Sequence, residues 1–359
     1  MIALTIQYFQ KNTCKADIVL SDFISEYESV KEGLRKTKLF DNVYEFPIRD
    51  CYKDRRKNAI AFKCRQIYCE LKGCCKKEIA QVVDNGYDEV FFTNSHCYIN
   101  TLILKLKKKN SELVVNIVDE GYSTYTNMRK NELFGFNQGR NFLRAVHEFF
   151  CKEQHLSDII SNMYLMDKDL LCWEVPYNVI SIPSVDIDNE QDFKEKINMT
   201  FSYKYAVDEY EEKHIFFEES FHVDNNQSDD LDLLELITKE VGKENMVIKL
   251  HPRSLCDRFS DKGYKVIKKS GGPWEVVAAN MRIDEGKVLV TISSGAIVNT
   301  FLLFNKAFSS LFLYKCSEVN WVKWEESVER FFEKFFEKYN RKVYVPENKE
   351  ELVKLLKRL

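Results

Sequence analysis

Short apolar runs alternate with amphipathic stretches along most of the chain, and many of the runs end in a polar turn. In the first half, residues 16–20, 43–46, 89–93 and 113–118 have the composition of strands. Residues 23–37, 57–77 and 99–107 instead carry the pattern of helices. Strands separated by helices of this length predict a parallel, doubly wound sheet. Residues 1–9 fit a strand or a helix; as a helix, they leave this domain without its usual opening strand.

Regularity breaks at 167–210, where Pro176, Pro183 and the polar stretch 186–196 predict an interdomain connection. A second series follows, with strands at 215–217, 246–250, 264–267 and 288–292. Its helices lie at 231–241, from Trp274 onward, and at 296–303. The expected class is therefore α/β, GT-B type, with two Rossmann-like domains facing across a cleft. The expected bounds are 1–175 and 176–320, followed by helices over 321–359. Residues 321–339 predict a helix whose broad apolar face carries Val328, Phe331, Phe332, Phe335, Phe336 and Tyr339. That face is expected to pack back across the domain boundary. The alternative is a membrane surface or a partner, with Lys354, Lys357 and Arg358 adding a weak lipid-facing charge.

Composition narrows the partners. At 359 residues, two domains are the natural expectation. A net charge of only -3 gives no global field for nucleic acid. No apolar run approaches the roughly 18 residues of a membrane span, and no signal peptide opens the chain. A cytoplasmic protein with reduced thiols is expected. Cys64, Cys69, Cys74 and Cys75 cluster without C-x-x-C spacing, which argues against zinc. The acidic triplets Asp186-Ile187-Asp188 and Asp230-Leu231-Asp232 fall in the connection and at a helix start, so no metal is expected there.

The candidate chemistry sits at strand ends, where open α/β sheets bind their ligands. Asp119-Glu120-Gly121 follows the strand 113–118, and Lys249-Leu250-His251-Pro252-Arg253 follows Met246-Val247-Ile248. One offers carboxylates and the other a histidine, which together supply a base and an acid. Residues 249 and 251 point to one side of a strand, so ammonium and imidazole can face one anion, with Pro252 stiffening the exit. Ser293-Ser294-Gly295 turns a strand into a helix and presents backbone N–H groups and hydroxyls suited to phosphate. Each motif also has a purely structural reading: a solvated turn, a hydrogen-bonded histidine, a serine N-cap. His96, at another strand end, is a weaker candidate for the acceptor side.

In order and wording, Val118-Asp119-Glu120-Gly121-Tyr122-Ser123, Ile248-Lys249-Leu250-His251-Pro252 and Thr291-Ile292-Ser293-Ser294 resemble a known group. It is that of the bacterial CMP-sialic acid-dependent sialyltransferases: glycosyltransferase family 52 and the related capsule polysialyltransferase and marine-type families. The resemblance implies a GT-B enzyme whose N-terminal domain faces the acceptor and whose C-terminal domain binds the CMP-sugar. It implies an inverting, metal-independent transfer of sialic acid from CMP-sialic acid to a glycan hydroxyl of capsule or lipooligosaccharide. The donor is a co-substrate, and no cofactor is expected. Asp119 would then be the general base, with Glu120 as fallback and Gly121 completing the motif. His251 would be the general acid on the donor phosphate, with Lys249 assisting. Glu275 would bind the ribose hydroxyls, and Ser293 and Ser294 the phosphate. The implied setting is the cytoplasmic face of the inner membrane, with peripheral contact. The competing expectations are a Kdo-like CMP-sugar transferase, a polyol-phosphate polymerase of the teichoic-acid type, and a non-catalytic nucleotide- or glycan-binding protein.

Overall fold

The computed structural model describes residues 1–359 except 11–12, 23, 25, 49–75, 95–96, 135–155, 205–208, 222–227, 255, 268–271, 283–285, 305 and 320–325. His96, the four clustered cysteines and nearly all of the helix expected at 57–77 lie outside the described residues. The chain forms two compact units, Met1–Pro183 and Ser184–Leu359.

The N-terminal unit opens with a helix, α1 (Ile2–Gln10). Strand β1 (Asp17–Ser21), helix α2 (Tyr27–Thr37) and β2 (Asn42–Phe46) follow, the two strands pairing in parallel. A second parallel ladder runs β3 (Glu89–Phe92), β4 (Val114–Val118), β5 (Asn162–Leu165), β6 (Asn178–Ser181). Its helices are α3 (Lys76–Asn85), α4 (Cys97–Lys109), α5 (Asn127–Phe134) and the single turn α6 (Leu156–Ile159). Strands β5 and β6 escape the apolar pattern because asparagines occupy them. Asn116, Asn162 and Asn178 stand opposite one another on adjacent strands. Their side-chain amides form a ladder: Asn178 donates to Asn162 at 3.1 Å, and Asn162 to Asn116 at 2.7 Å. Asn116 passes it on to Glu89 at 3.3 Å. A slip of one residue would break this ladder and turn Met163 and Leu165 out of the core, so register is doubly specified.

The C-terminal unit begins with helix α7 (Gln191–Thr200), within the stretch expected to be a connection. Phe193 and Ile197, one turn apart, are its buried apolar residues in a largely polar sequence whose Met199 is exposed. Then follow β7 (His214–Phe217), α8 (Asp230–Val241), β8 (Met246–Lys249), β9 (Lys265–Ile267), α9 (Trp274–Asn280), β10 (Val288–Thr291) and α10 (Gly295–Phe304). Strand β11 (Ser309–Phe312), α11 (Glu326–Lys338), β12 (Val343–Tyr344) and α12 (Lys349–Leu356) complete it. All six strands are parallel, in the order β12-β11-β10-β7-β8-β9. The first strand is thus central: the chain builds to one side through β8 and β9, then returns to build the other from β10. This is the doubly wound Rossmann order, and its reversal between β7 and β10 opens a crevice beyond the strand ends. Strands β7, β8 and β10 are buried at every position, as central parallel strands are.

Helix α11 lays its aromatic face on elements of its own unit. Phe335 packs edge-on to Phe301 of α10 at 5.4 Å and to Phe312 of β11 at 6.3 Å, and stacks with Phe331 at 6.2 Å. Among the described residues no helix is long and apolar enough to cross a membrane. Phe335 is fully buried, so Phe335→Ala should cost about 3–5 kcal/mol through lost burial and a cavity, read as a fall in the melting temperature.

Candidate functional site

In the N-terminal unit, the acidic motif leaves the end of β4. Asp119 is only 1% exposed, and both of its carboxylate oxygens are engaged. One accepts the Gly121 N–H at 2.7 Å; the other accepts the Met166 N–H at 3.2 Å and the Tyr125 hydroxyl. Burial raises its pKa to about 6, against the pull of Tyr125, the two amides and the Arg129 charge. Gly121 has φ 113°, a conformation that glycine alone adopts cheaply, and this bends the chain back so that its N–H reaches Asp119. Glu120 is the outward member of the pair. It accepts from Asn94 at 2.5 Å and lies 3.5 Å from the guanidinium of Arg129, itself buried against the Thr93 carbonyl. Asp119 therefore anchors the loop, while Glu120 is presented at its surface.

In the C-terminal unit, the motifs converge on the end of β7. Glu218, 2% exposed, reaches toward β8. Its Oε2 accepts the His251 N–H at 2.9 Å and the Ser254 hydroxyl at 2.6 Å, while Oε1 accepts from Arg258 at 3.2 Å. Arg258 also holds Asp230, at the start of α8, at 2.5 Å. His251 accepts the Arg253 N–H at Nδ1, 3.2 Å away, which places the proton of its neutral ring on Nε2. Pro252 is exposed at the loop.

Glu219 reaches the other way, toward β10. Its Oε1 accepts the Thr291 hydroxyl at 2.9 Å and the Ser293 N–H at 2.8 Å. The Ser294 N–H is held by Thr291 Oγ1 at 2.9 Å. The serine turn thus has internal partners for the two amides that the sequence offered to phosphate. Glu219 has its pKa pushed up to about 7, first by burial and then by the charges of Asp230 and Glu218.

Lys249, Phe217 and Thr291 stand in register across β8, β7 and β10, so their side chains share one face of the sheet. Lys249 is 7% exposed, and its ammonium lies 5.6 Å from the centre of the Phe217 ring. It makes no hydrogen bond to a described residue. Burial lowers its pKa, opposed by the charges of Glu275 and Glu218. Glu275, in the first turn of α9, accepts from Asn299 of α10 at 3.1 Å. Trp274 beside it packs on Phe217 at 4.7 Å and donates to Thr300 at 3.0 Å, which locks α9 and α10 over this face. Lys249, His251, Glu275, Ser293 and Ser294 therefore share one sheet edge, whereas Asp119, Glu120 and Gly121 belong to the other unit. Glu218, Glu219, Arg258, Thr291 and Asn299 were not foreseen. The available signal is Glu218-Glu219 directly after the apolar run Ile215-Phe216-Phe217, the same arrangement as Asp119-Glu120 after β4. The acidic triplets have structural partners: Asp230 pairs with Arg258, and Asp188 with Lys306 at 3.0 Å.

No protein-family model matches the chain, and no curated protein matches it. Solved structures do. S. aureus MnaA, solved with UDP, is 14% identical with a TM-score of 0.44, over 96% of this chain and 87% of that one. The Methanocaldococcus jannaschii UDP-GlcNAc 2-epimerase, solved with UDP-GlcNAc and UDP, is 12% identical with a TM-score of 0.47, over 96% and 92%. These findings correct the expected sialyltransferase. The similar structures hold uridine nucleotides, not CMP-sialic acid. The CMP-sialic acid donor, the glycan acceptor, the capsule or lipooligosaccharide setting and the other cytidine-linked activities are withdrawn with it. The physical reason lies in the motifs: each is a few residues long, and each has a local structural task at a strand end here. The glycine turns the chain, the serine turn starts a helix, and the histidine loop is tied to Glu218.

Two outcomes test this geometry. Tyr125→Phe removes the hydroxyl bond to Asp119 and should cost about 1–3 kcal/mol. A carboxyl with a raised folded-state pKa contributes most stability below its unfolded value and loses it as pH rises through about 6. Tyr125→Phe raises that pKa further, so its loss in melting temperature should be larger at about pH 8 than at about pH 5. Arg258→Met leaves the carboxylates of Glu218 and Asp230 buried without their cation. It should destabilise by about 3 kcal/mol, read by chemical denaturation.

Proposed function

We propose that the chain is an enzyme acting on a nucleotide-linked sugar, held by its nucleotide at the carboxyl edge of the C-terminal sheet. The observation that carries this is Lys249: a buried ammonium beside the crossover of a doubly wound sheet, with no hydrogen-bonding partner among the described residues. A buried charge left in that state is costly and is relieved when a ligand supplies the anion. In this reading Lys249 and His251 meet the phosphates, with Pro252 fixing the loop and Ser293 and Ser294 lining the far side. Glu275, steadied by Asn299, accepts the ribose hydroxyls. In the N-terminal unit, Glu120 is the exposed carboxylate of its motif, and Asp119 and Gly121 set its position.

Uridine nucleotides are the first ligands to test, since both solved structures named above contain them. Isomerisation of the sugar is the first reaction to seek, as one of those proteins is named for it. The case for a nucleotide rests on the site itself.

Thermal shift and calorimetry with UDP, UDP-GlcNAc and CMP decide the matter. UDP and UDP-GlcNAc should raise the melting temperature, because a ligand that binds only the native state stabilises it. Lys249→Met should stay folded and bind UDP roughly 10–100-fold more weakly, the worth of a charge-assisted hydrogen bond. Stabilisation by CMP alone, or by none of the three, would sink the proposal.

A further inference from the structure

Glu219 has no task in the reading above, yet it stands at the crossover between β7 and β10. Its carboxylate takes the Ser293 N–H, two residues before α10 begins, in the turn that lines the far side of the nucleotide in that reading. The residue is half-buried, and among the described residues only its Oε1 is hydrogen-bonded. Lys249, more than nine-tenths buried, lies on the face that Thr291 shares, with its ammonium toward the Phe217 ring between them.

We propose that Glu219 is a proton-gated occupant of the phosphate position, holding the Ser293 amide until a nucleotide arrives and taking up a proton as its phosphate enters. The proposal rests on the nucleotide reading. Two anions cannot share one helix start without one being neutralised. The proton comes from solvent, the Ser293 N–H passes from carboxylate to phosphate oxygen, and no covalent bond changes. The titration is in reach: burial and the charges of Asp230 and Glu218 place Glu219 at about 7. The groups around it are Thr291 and Ser293 from β10 and its turn, Glu218 on its own strand end, and Asp230 on α8. Arg258 pairs with both of those carboxylates.

Three measurements test this. In the ligand-free protein, the Ser293 amide resonance should titrate with a midpoint near 7, and should not do so in Glu219→Gln. UDP binding to the wild type should take up a proton at about pH 8, seen as a dependence of the calorimetric heat on buffer ionisation. Affinity should weaken by up to about tenfold per pH unit above neutrality. Glu219→Gln keeps both acceptor contacts without the charge, and should bind UDP about tenfold tighter at about pH 8 with no linked proton. Absence of proton uptake by the wild type overturns the proposal even where the variant fails to fold. An unchanged pH dependence in Glu219→Gln also overturns it. If the wild type does not bind UDP, the nucleotide reading falls. Pyrophosphate then becomes the probe, and its failure to bind with proton uptake overturns the Glu219 proposal separately.

Discussion

Two consecutive carboxylates at the end of β7 hold the C-terminal site together. Glu218 ties the loop after β8 through the His251 amide, the Ser254 hydroxyl and Arg258. Glu219 ties the turn after β10 through Thr291 and the Ser293 amide. The strand order makes this possible. With β7 central between β8 and β10, two residues leaving one strand can reach the two loops on either side of the crevice. Loops that would otherwise end in unpaired amides are instead satisfied by side chains from a third strand.

Such an arrangement concentrates charge where the sheet is driest. Glu218 and Asp230 share one guanidinium, while Lys249 has, among the described residues, only an aromatic ring and more distant carboxylates for company. Buried charges are tolerated when hydrogen bonds and counter-charges meet them, and are functional candidates where they do not. The N-terminal unit treats Asp119 in the first way, with amides and a tyrosine hydroxyl on both oxygens. The C-terminal unit leaves Lys249 and one side of Glu219 in the second, and for that reason the proposals centre on them.

The corrected sialyltransferase reading shows what short motifs carry. Asp-Glu-Gly, His-Pro and Ser-Ser each mark a strand end in a doubly wound sheet, and each was placed on the proper element. Their chemistry does not follow from that placement. A glycine at φ 113° is needed to turn the chain back on Asp119 whatever the ligand. The serine turn is capped by Glu219 and Thr291 before any phosphate is considered. Motifs that satisfy backbone geometry recur across unrelated activities, so their order in a chain speaks to architecture first.

Local pattern alone determined the α/β class, the parallel strands from β1 to β4 and from β7 to β10, and the aromatic face of α11. Burial on both faces forces continuous apolar runs, and a packed helix face forces apolar spacing, so both are written in neighbouring residues. Strands β5 and β6 were hidden because their register is held partly by asparagine amides, whose partners lie on other strands. Helix α7 was hidden because its buried stripe is only a few residues in a polar stretch. The site divides in the same way. Lys249, His251, Glu275 and the serine pair were legible because they abut strand and helix ends. The roles of Glu218, Glu219 and Arg258 were not, because each acts across strands or helices distant in sequence. Only the tertiary order of β8, β7 and β10 put them within hydrogen-bond reach of the motifs they hold.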